Sequence, residues 1–261
     1  MKFIGVDLHK QTITVCVMGN VNQKRKVLER KRFRCSEPGR IREFFEQVGP
    51  FQVVVEATAS YEWFLLLVED LADRWVRARP KKLRIIAESK HKSDKIDAKI
   101  LAEFLMLDML PESYRPSPRV RQHRVLMRHR RWVQGRITSV KCKLRHKLAH
   151  YNADIADLFT QRGEEHLAKV AMDMADRFEA KALQEQLRLL KQQLAEVDEE
   201  LREFAKSAPA AEREARAVLA SMPEIGPVTI DVVLSELGKS WPTPVSTLVV
   251  VKQAARPSSC T

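Results

Sequence analysis

Long apolar runs are missing from this sequence. The longest uninterrupted one, Trp63 to Val68, is far too short to span a bilayer, and no secretory leader precedes the first candidate strand. The expectation is a soluble, cytoplasmic chain with no membrane partner. Cysteine is sparse: Cys16, Cys35, Cys142 and Cys260 are scattered with no C-x-x-C pair, which argues against a zinc site and against a disulfide framework. Acidic residues are absent from one whole segment. Between Ser113 and Ala153 there are 12 Lys/Arg and no Asp or Glu, in a 261-residue chain of formal net charge +12. That segment therefore carries the entire excess, and the remainder is neutral. A dense basic segment beside a neutral body points to a polyanion, of which nucleic acid is the usual one. A solvated helix face is the plainer explanation, but it fits less well where acids are wholly missing.

What is present begins with strands. Residues 2 to 7 read as a buried strand ending in Asp7, and Thr12 to Met18 alternates as a second. Gly19-Asn20 is a turn signal, and Lys26 to Arg34 reads as a third, more polar strand. Pro38-Gly39 stops this meander; Ile41, Phe44, Phe45 and Val48 then share one helical face. Phe51 to Ala57 is a second apolar strand tipped with a carboxylate, Glu56. Thr58-Ala-Ser60 can cap a helix from Tyr61 to about Arg74, and Val76 to Arg79 and Leu83 to Ala87 supply further strand material. Ser93 caps a helix from Asp94 to Leu110 with Ile96, Ile100, Leu101, Phe104 and Leu107 inward, and Asp94 and Asp97 lie one turn apart at its start.

The order β-β-β-α-β-α-β-α is that of the RNase H-like fold, in which acids from the first strand, the fourth strand and the last helix converge. Each acid has a plainer reading alone: Asp7 as a turn residue, Glu56 as a salt-bridge partner, Asp94 as a helix-dipole stabiliser. In this topology the joint reading, a divalent-metal site, is the stronger one.

Pro111 and Pro116-Ser117-Pro118 mark a boundary. A long basic helix follows from Arg119 to His150, with Val133, Ile137, Val140, Leu144 and Leu148 on a narrow apolar stripe. A second helix, roughly Arg177 to Ser207, carries a heptad seam of Leu183, Leu187, Leu190, Leu194, Val197, Leu201 and Phe204. Whether the seam pairs with the basic helix or with another subunit is open, with dimerisation favoured. Pro209 ends this helix, and Val218 to Leu237 reads as helix, tight Pro/Gly hairpin, helix, a shape that can offer backbone N–H groups to phosphate. An ordinary αα turn explains it equally well. After Gly238 the chain has three prolines, no acids and no amphipathic period.

Gly5-Val-Asp7-Leu-His-Lys10, Val55-Glu56-Ala57-Thr58 and Lys92-Ser-Asp94-Lys-Ile-Asp97-Ala98 resemble the three N-terminal motifs of the DEDD transposases of bacterial insertion sequences, family one-ten, the bridge-RNA-guided recombinases. Met222-Pro-Glu-Ile-Gly226-Pro resembles the entry to that family's C-terminal transposase domain. The resemblance runs over roughly residues 1 to 238. It implies an α/β, RNase H-like (RuvC-type) DEDD catalytic domain over 1–110 and a basic helix and coiled coil over 111–208. A helix-hairpin-helix start of the C-terminal domain would cover 209–238, with an irregular tail over 239–261.

The resemblance further implies that Asp7, Glu56, Asp94 and Asp97 are catalytic and hold two divalent ions, Mg²⁺ or Mn²⁺, roughly 4 Å apart. Hard oxygen ligands suit those ions, and there is no His/Cys cluster for zinc. DNA and a structured guide RNA are the implied partners, in a homodimer or higher homo-oligomer. Base pairing with the guide would select sequence, so Arg119, Arg121, Arg124, Arg128, Arg130, Arg131, Arg136, Lys141, Lys143, Arg145 and Lys147 are expected to bind phosphates. Two departures stand out. Glu224 replaces the usual first glycine of the hairpin, which weakens phosphate binding there. The family's serine nucleophile has no counterpart, the role is not carried onto Ser258 or Ser259, and a frameshifted or truncated reading frame is the expectation. The alternatives are a Holliday-junction-resolvase-like nuclease, in which the acids activate water, and a non-catalytic nucleic-acid-binding remnant.

Overall fold

The computed structural model describes residues 1–56, 61–79 and 94–237, and of 94–97 only the backbone. The chain divides into two compact units, Met1–Arg115 and a second from Pro116 onward. In the first unit, β1 (Lys2–Leu8), β2 (Thr12–Val21) and β3 (Lys24–Arg34) form an antiparallel meander. Its second reversal falls at Asn22 and Gln23, with φ of 51° and 60°, and not at Gly19-Asn20. A two-residue hairpin that follows the strand twist needs left-handed backbone at both central positions, and Asn adopts it readily. Gly19 instead stays in the ladder opposite Lys26.

The helix α1 (Pro38–Val48) buries Ile41, Phe44, Phe45 and Val48, the face its spacing predicts. β4 (Phe51–Glu56) then pairs parallel to β1. α2 (Tyr61–Val68) ends before the expected Arg74, because Arg74–Ala78 forms β5 and satisfies its backbone groups on β4. That competition is non-local and invisible in the local pattern. α3 (Asp94–Met106) completes the unit, and the sheet order is β3-β2-β1-β4-β5, the RNase H-like arrangement. The expected strand at Leu83–Ala87 and the caps at Thr58–Ser60 and Ser93 lie outside the described residues.

One sheet face packs Ile4, Val6, Val53 and Val55 against α1 and α2. The other packs Val54 and Val76 against Leu101 and Leu105 of α3, and Cys16 and Met18 against Ala98 and Ala102. The inward face of α3 is thus Ala98, Leu101, Ala102 and Leu105, whereas the larger Ile100 and Phe104 are only partly buried and Leu107 is exposed, beyond the helix end. Gly5 is the reason. A Cβ there would lie 1.9 Å from the Ala98 carbonyl oxygen and 2.6 Å from the Ala102 nitrogen, so the helix rests directly on the β1 backbone. Only small residues fit at that contact. Beyond β5, Ser113 donates to the Arg77 carbonyl (2.7 Å), and Arg115 pairs with Glu62 (2.5 Å) and Glu69.

In the second unit, Ser117 caps α4 (Pro118–His150), accepting from the Val120 N–H with Pro118 in the first turn. α5 (Gln161–Lys169) is a short connector, and α6 (Met174–Lys206) carries the leucine seam. The seam's Leu183, Leu187 and Leu190 pack on Val133, Ile137, Val140, Leu144 and Leu148 of α4. Of the two partners open to it, the basic helix of the same chain is the one it packs against. Met127 meets Val197 and Leu201 at one end while Lys147 meets Asp176 at the other, so the two helices run antiparallel. α7 (Ala210–Ala220) and α8 (Pro227–Leu237) form the expected helical hairpin, with Glu224 at φ 65° in its turn. A non-glycine residue thus bears the left-handed conformation that glycine would adopt freely. The tail from residue 238 lies outside the described residues.

The far end of the α4–α6 pair is tied by charge. Lys147 Nζ lies 2.6 Å from Asp176 and 2.7 Å from Glu179, Lys143 lies 2.6 Å from Glu179, and the Tyr151 hydroxyl donates to Asp176. Lys147 and then Tyr151 hold Asp176 below the ordinary carboxylate range, and Lys143 and then Lys147 do the same for Glu179. A carboxylate with a depressed folded-state pKa stabilises the fold above its unfolded pKa and loses that contribution as pH falls through the folded value. The melting temperature is therefore expected to fall as pH drops below about 4. Lys147→Met should lower it at neutral pH and narrow the gap to wild type in acid. Circular-dichroism melts of both proteins across pH, at low salt, check this; a gap independent of pH would contradict it.

Candidate functional site

The acids of β1 and β4 meet because of register. The parallel pairing runs from Lys2↔Phe51 to Val6↔Val55, which brings Asp7 and Glu56 to neighbouring positions where the strands end. Their face follows from alternation. Gly5 points at α3, so Asp7, two residues on, points to the same side. Val54 packs on Leu101 and Leu105, so Glu56 does likewise. Had the two acids lain on opposite faces, no shared site would exist.

Asp7 is buried at 5 % exposure and Glu56 is half-buried. His9 Nε2 lies 3.1 Å from Asp7 Oδ2. Thr14, also buried, sits opposite Asp7 in the β1–β2 ladder and shares its face. Sequence reasoning assigned no role to His9 or Thr14, although Asp-x-His at the end of β1 was available as a signal. Asp94 and Asp97 occupy the first turn of α3, one helical turn before Ala98 and Leu101, the residues that seat the helix on the sheet. Their side chains lie outside the described residues. Among the described residues no group of three His, Cys, Asp or Glu is close enough to hold a metal. The pair Asp7 and Glu56 supplies hard carboxylate oxygens from adjacent strands, a donor set that fits a divalent cation of the Mg²⁺ or Mn²⁺ class.

The basic helix divides its cations between structure and solvent. Arg119 pairs with Glu212 and donates to the Phe204 carbonyl (2.7 Å). Arg121 donates to the Pro116 carbonyl (2.8 Å), and Arg124 to the Ser235 and Glu236 carbonyls. Arg130 pairs with Asp198 and Arg145 with Asp154, and Lys143 and Lys147 hold the cluster described above. Lys141 lies over the Phe159 ring at 4.9 Å. Arg128, Arg131 and Arg136 are exposed, with no carboxylate partner among the described residues.

Arg119 belongs to a part-buried network that joins the helical hairpin to the start of α4. His123 Nε2 lies 3.0 Å from Asp231 Oδ1, and Arg216 reaches both Asp231 (2.8 Å) and Glu212 (3.1 Å). Burial alone would raise the Glu212 carboxyl, but Arg119 and Arg216 outweigh it and hold it below its ordinary value. Charges so buried must be paired, and sequence spacing gives no hint of which arginines are committed this way.

Among the described residues no helix is long and apolar enough to cross a membrane, and Cys16, Cys35 and Cys142 are free thiols. No curated protein matches the chain. A transposase family of DEDD type does match, over residues 4–153 of the 261, a span running from the acid-bearing β1 through the whole of α4. With its RNase H-like sheet and its two strand-end acids on one face, the chain belongs to the DEDD transposases of the IS110 insertion-sequence family.

Proposed function

We propose that the chain supplies the metal-dependent DNA-cleaving site of a recombinase, at Asp7, Glu56, Asp94 and Asp97 and guided by a structured RNA, and that strand exchange needs the serine nucleophile for which this sequence has no counterpart. DNA is the partner that its family implies, and DEDD transposases use divalent metal ions. The register that sets Asp7 beside Glu56 on the α3 face carries this reading. Mg²⁺ or Mn²⁺, when bound, supplies the Lewis acid that polarises the scissile phosphate and steadies the leaving oxygen. Asp7 and Glu56 would hold it from the strand ends, with Asp94 and Asp97 added from the first turn of α3.

The phosphate-binding cations of α4 are Arg128, Arg131 and Arg136, since the others are engaged within the fold. Sequence choice belongs to the guide RNA, so these three hold backbone rather than read bases. The reading also takes the chain to act in the cytoplasm as a homodimer or higher homo-oligomer, which light scattering on the purified protein decides.

The purified chain, given Mg²⁺, target DNA and its guide RNA, is expected to nick the target with water as the attacking group, and chelation should abolish the nicks. Hydrolysis of a branched junction without RNA would replace this reading with the resolvase one. Binding should weaken steeply with salt. Replacing Arg128, Arg131 and Arg136 together with Ala should lower the log–log salt slope by about 2 to 3, roughly 0.9 per phosphate contact, equally for unrelated sequences. An unchanged slope would remove α4 from DNA binding.

A further inference from the structure

On the outer face of α4, away from the stripe that meets α6, Trp132 is 53 % exposed. A half-exposed indole on a polar helix is costly and gains little from the fold. It is not isolated. His129 lies one turn before it, rings stacked at 5.9 Å and 15°, and the Arg136 guanidinium lies 5.4 Å from the indole centroid one turn after. Arg128 and Arg131 flank the group as solvent-facing cations without a carboxylate partner among the described residues.

One residue on the same face is out of place for a helix. Gly135, one turn beyond Trp132, has nothing within 4 Å of where its Cβ would be. Glycine in a helix interior destabilises it relative to alanine. Here no close neighbour explains it, so the helix surface one turn from Trp132 is left open over bare backbone. Flat π surface, open floor and flanking guanidinium groups are the features of a seat for a nucleobase, with phosphates held on either side.

We infer that His129, Trp132 and Arg136, with the gap at Gly135, form a stacking site for an unpaired base of a DNA single strand. A duplex hides its base faces, so charge alone serves it, whereas an exposed indole adds binding only where bases are unstacked. The occupant is DNA because DNA is the partner of this family. The inference rests on the proposed role of α4 in DNA binding, which the same experiment tests separately.

Fluorescence anisotropy with the full chain should use labelled oligothymidylate, oligouridylate and a DNA duplex of equal length. Trp132→Ala is expected to weaken oligothymidylate binding about tenfold, the scale of one lost base–aromatic stack. Trp132→Phe should restore most of it, and duplex affinity should change less than about twofold. Gly135→Ala should raise the melting temperature yet weaken oligothymidylate binding, a combination that a purely structural glycine cannot produce. Unchanged oligothymidylate affinity in Trp132→Ala would overturn the stacking site. So would an equal loss on duplex, or a loss confined to oligouridylate, which would assign the site to RNA. If the Arg128, Arg131 and Arg136 replacements also leave duplex binding untouched, the role of α4 fails; if they weaken it while Trp132→Ala does nothing, the stacking site alone fails.

Discussion

Replacing Asp7 with Asn is expected to reduce metal-dependent cleavage of DNA by about a thousandfold or more, since losing the proposed metal ligand would remove several kcal/mol of transition-state stabilisation. Asn has nearly the shape of Asp and keeps an oxygen towards His9, so the sheet should fold unchanged. Mn²⁺ binding, read by its thermal stabilisation of the protein, should weaken in parallel. Glu56→Gln should behave the same way, and the double variant should be little worse than either single one, because ligands of one site act as a unit. DNA affinity should hold, since the proposed phosphate contacts lie on α4. Glu29→Gln, on the exposed β3, serves as the control for charge removal. If Asp7→Asn keeps both Mn²⁺ affinity and cleavage, the strand-end acids have no part in the chemistry.

The second large effect concerns the support of the site. Gly5→Ala would place a methyl group 1.9 Å from the Ala98 carbonyl oxygen and 2.6 Å from the Ala102 nitrogen, both backbone atoms with no rotamer to yield. α3 must lift off β1, and Ala98, Leu101, Ala102 and Leu105 lose their seat. Overpacking of this kind costs roughly 3 kcal/mol, which corresponds to a fall of about 10–20 °C in Tm. Because α3 carries Asp94 and Asp97, cleavage should fall further than stability does, small displacements of the proposed catalytic groups being expensive. Gly39→Ala is the matched control: nothing lies within 4 Å of its Cβ, and alanine favours the helix it starts. A Gly5→Ala protein melting within about 2 °C of wild type would show that the contact relaxes freely.

The placement of the two strand-end acids was legible because strands announce themselves locally. An apolar run ending in a carboxylate reads as a buried strand delivering an acid to a sheet end, and both Asp7 and Glu56 sit where that pattern predicts. The face of α3 was only partly legible: Leu101 is buried and Phe104 packs beside it as expected, but Ala98, Ala102 and Leu105 fill the rest of the contact. Large residues mark a buried face only when the neighbouring surface has room for them, and here a glycine on another strand reversed that preference. The extent of α2 was misjudged for a related reason, since Arg74–Ala78 becomes a strand only when β4 is there to pair with it.

The basic helix divides along the same line. The sequence by itself determined that α4 is helical, that it carries an apolar stripe, and that all of the chain's excess positive charge lies in its segment; periodicity and composition are properties of a stretch of chain. It also determined the family, through motifs whose residues are close in sequence. Only the tertiary structure decided which cations are spent inside the fold. Arg119, Arg124 and Arg130 look no different in sequence from Arg128, Arg131 and Arg136, yet the first three meet carboxylates or carbonyls from α6, α7 and α8. Their partners lie some seventy to more than a hundred residues away in the chain. A charge acts through what stands within a few ångströms of it, and that neighbourhood exists only once distant segments have packed.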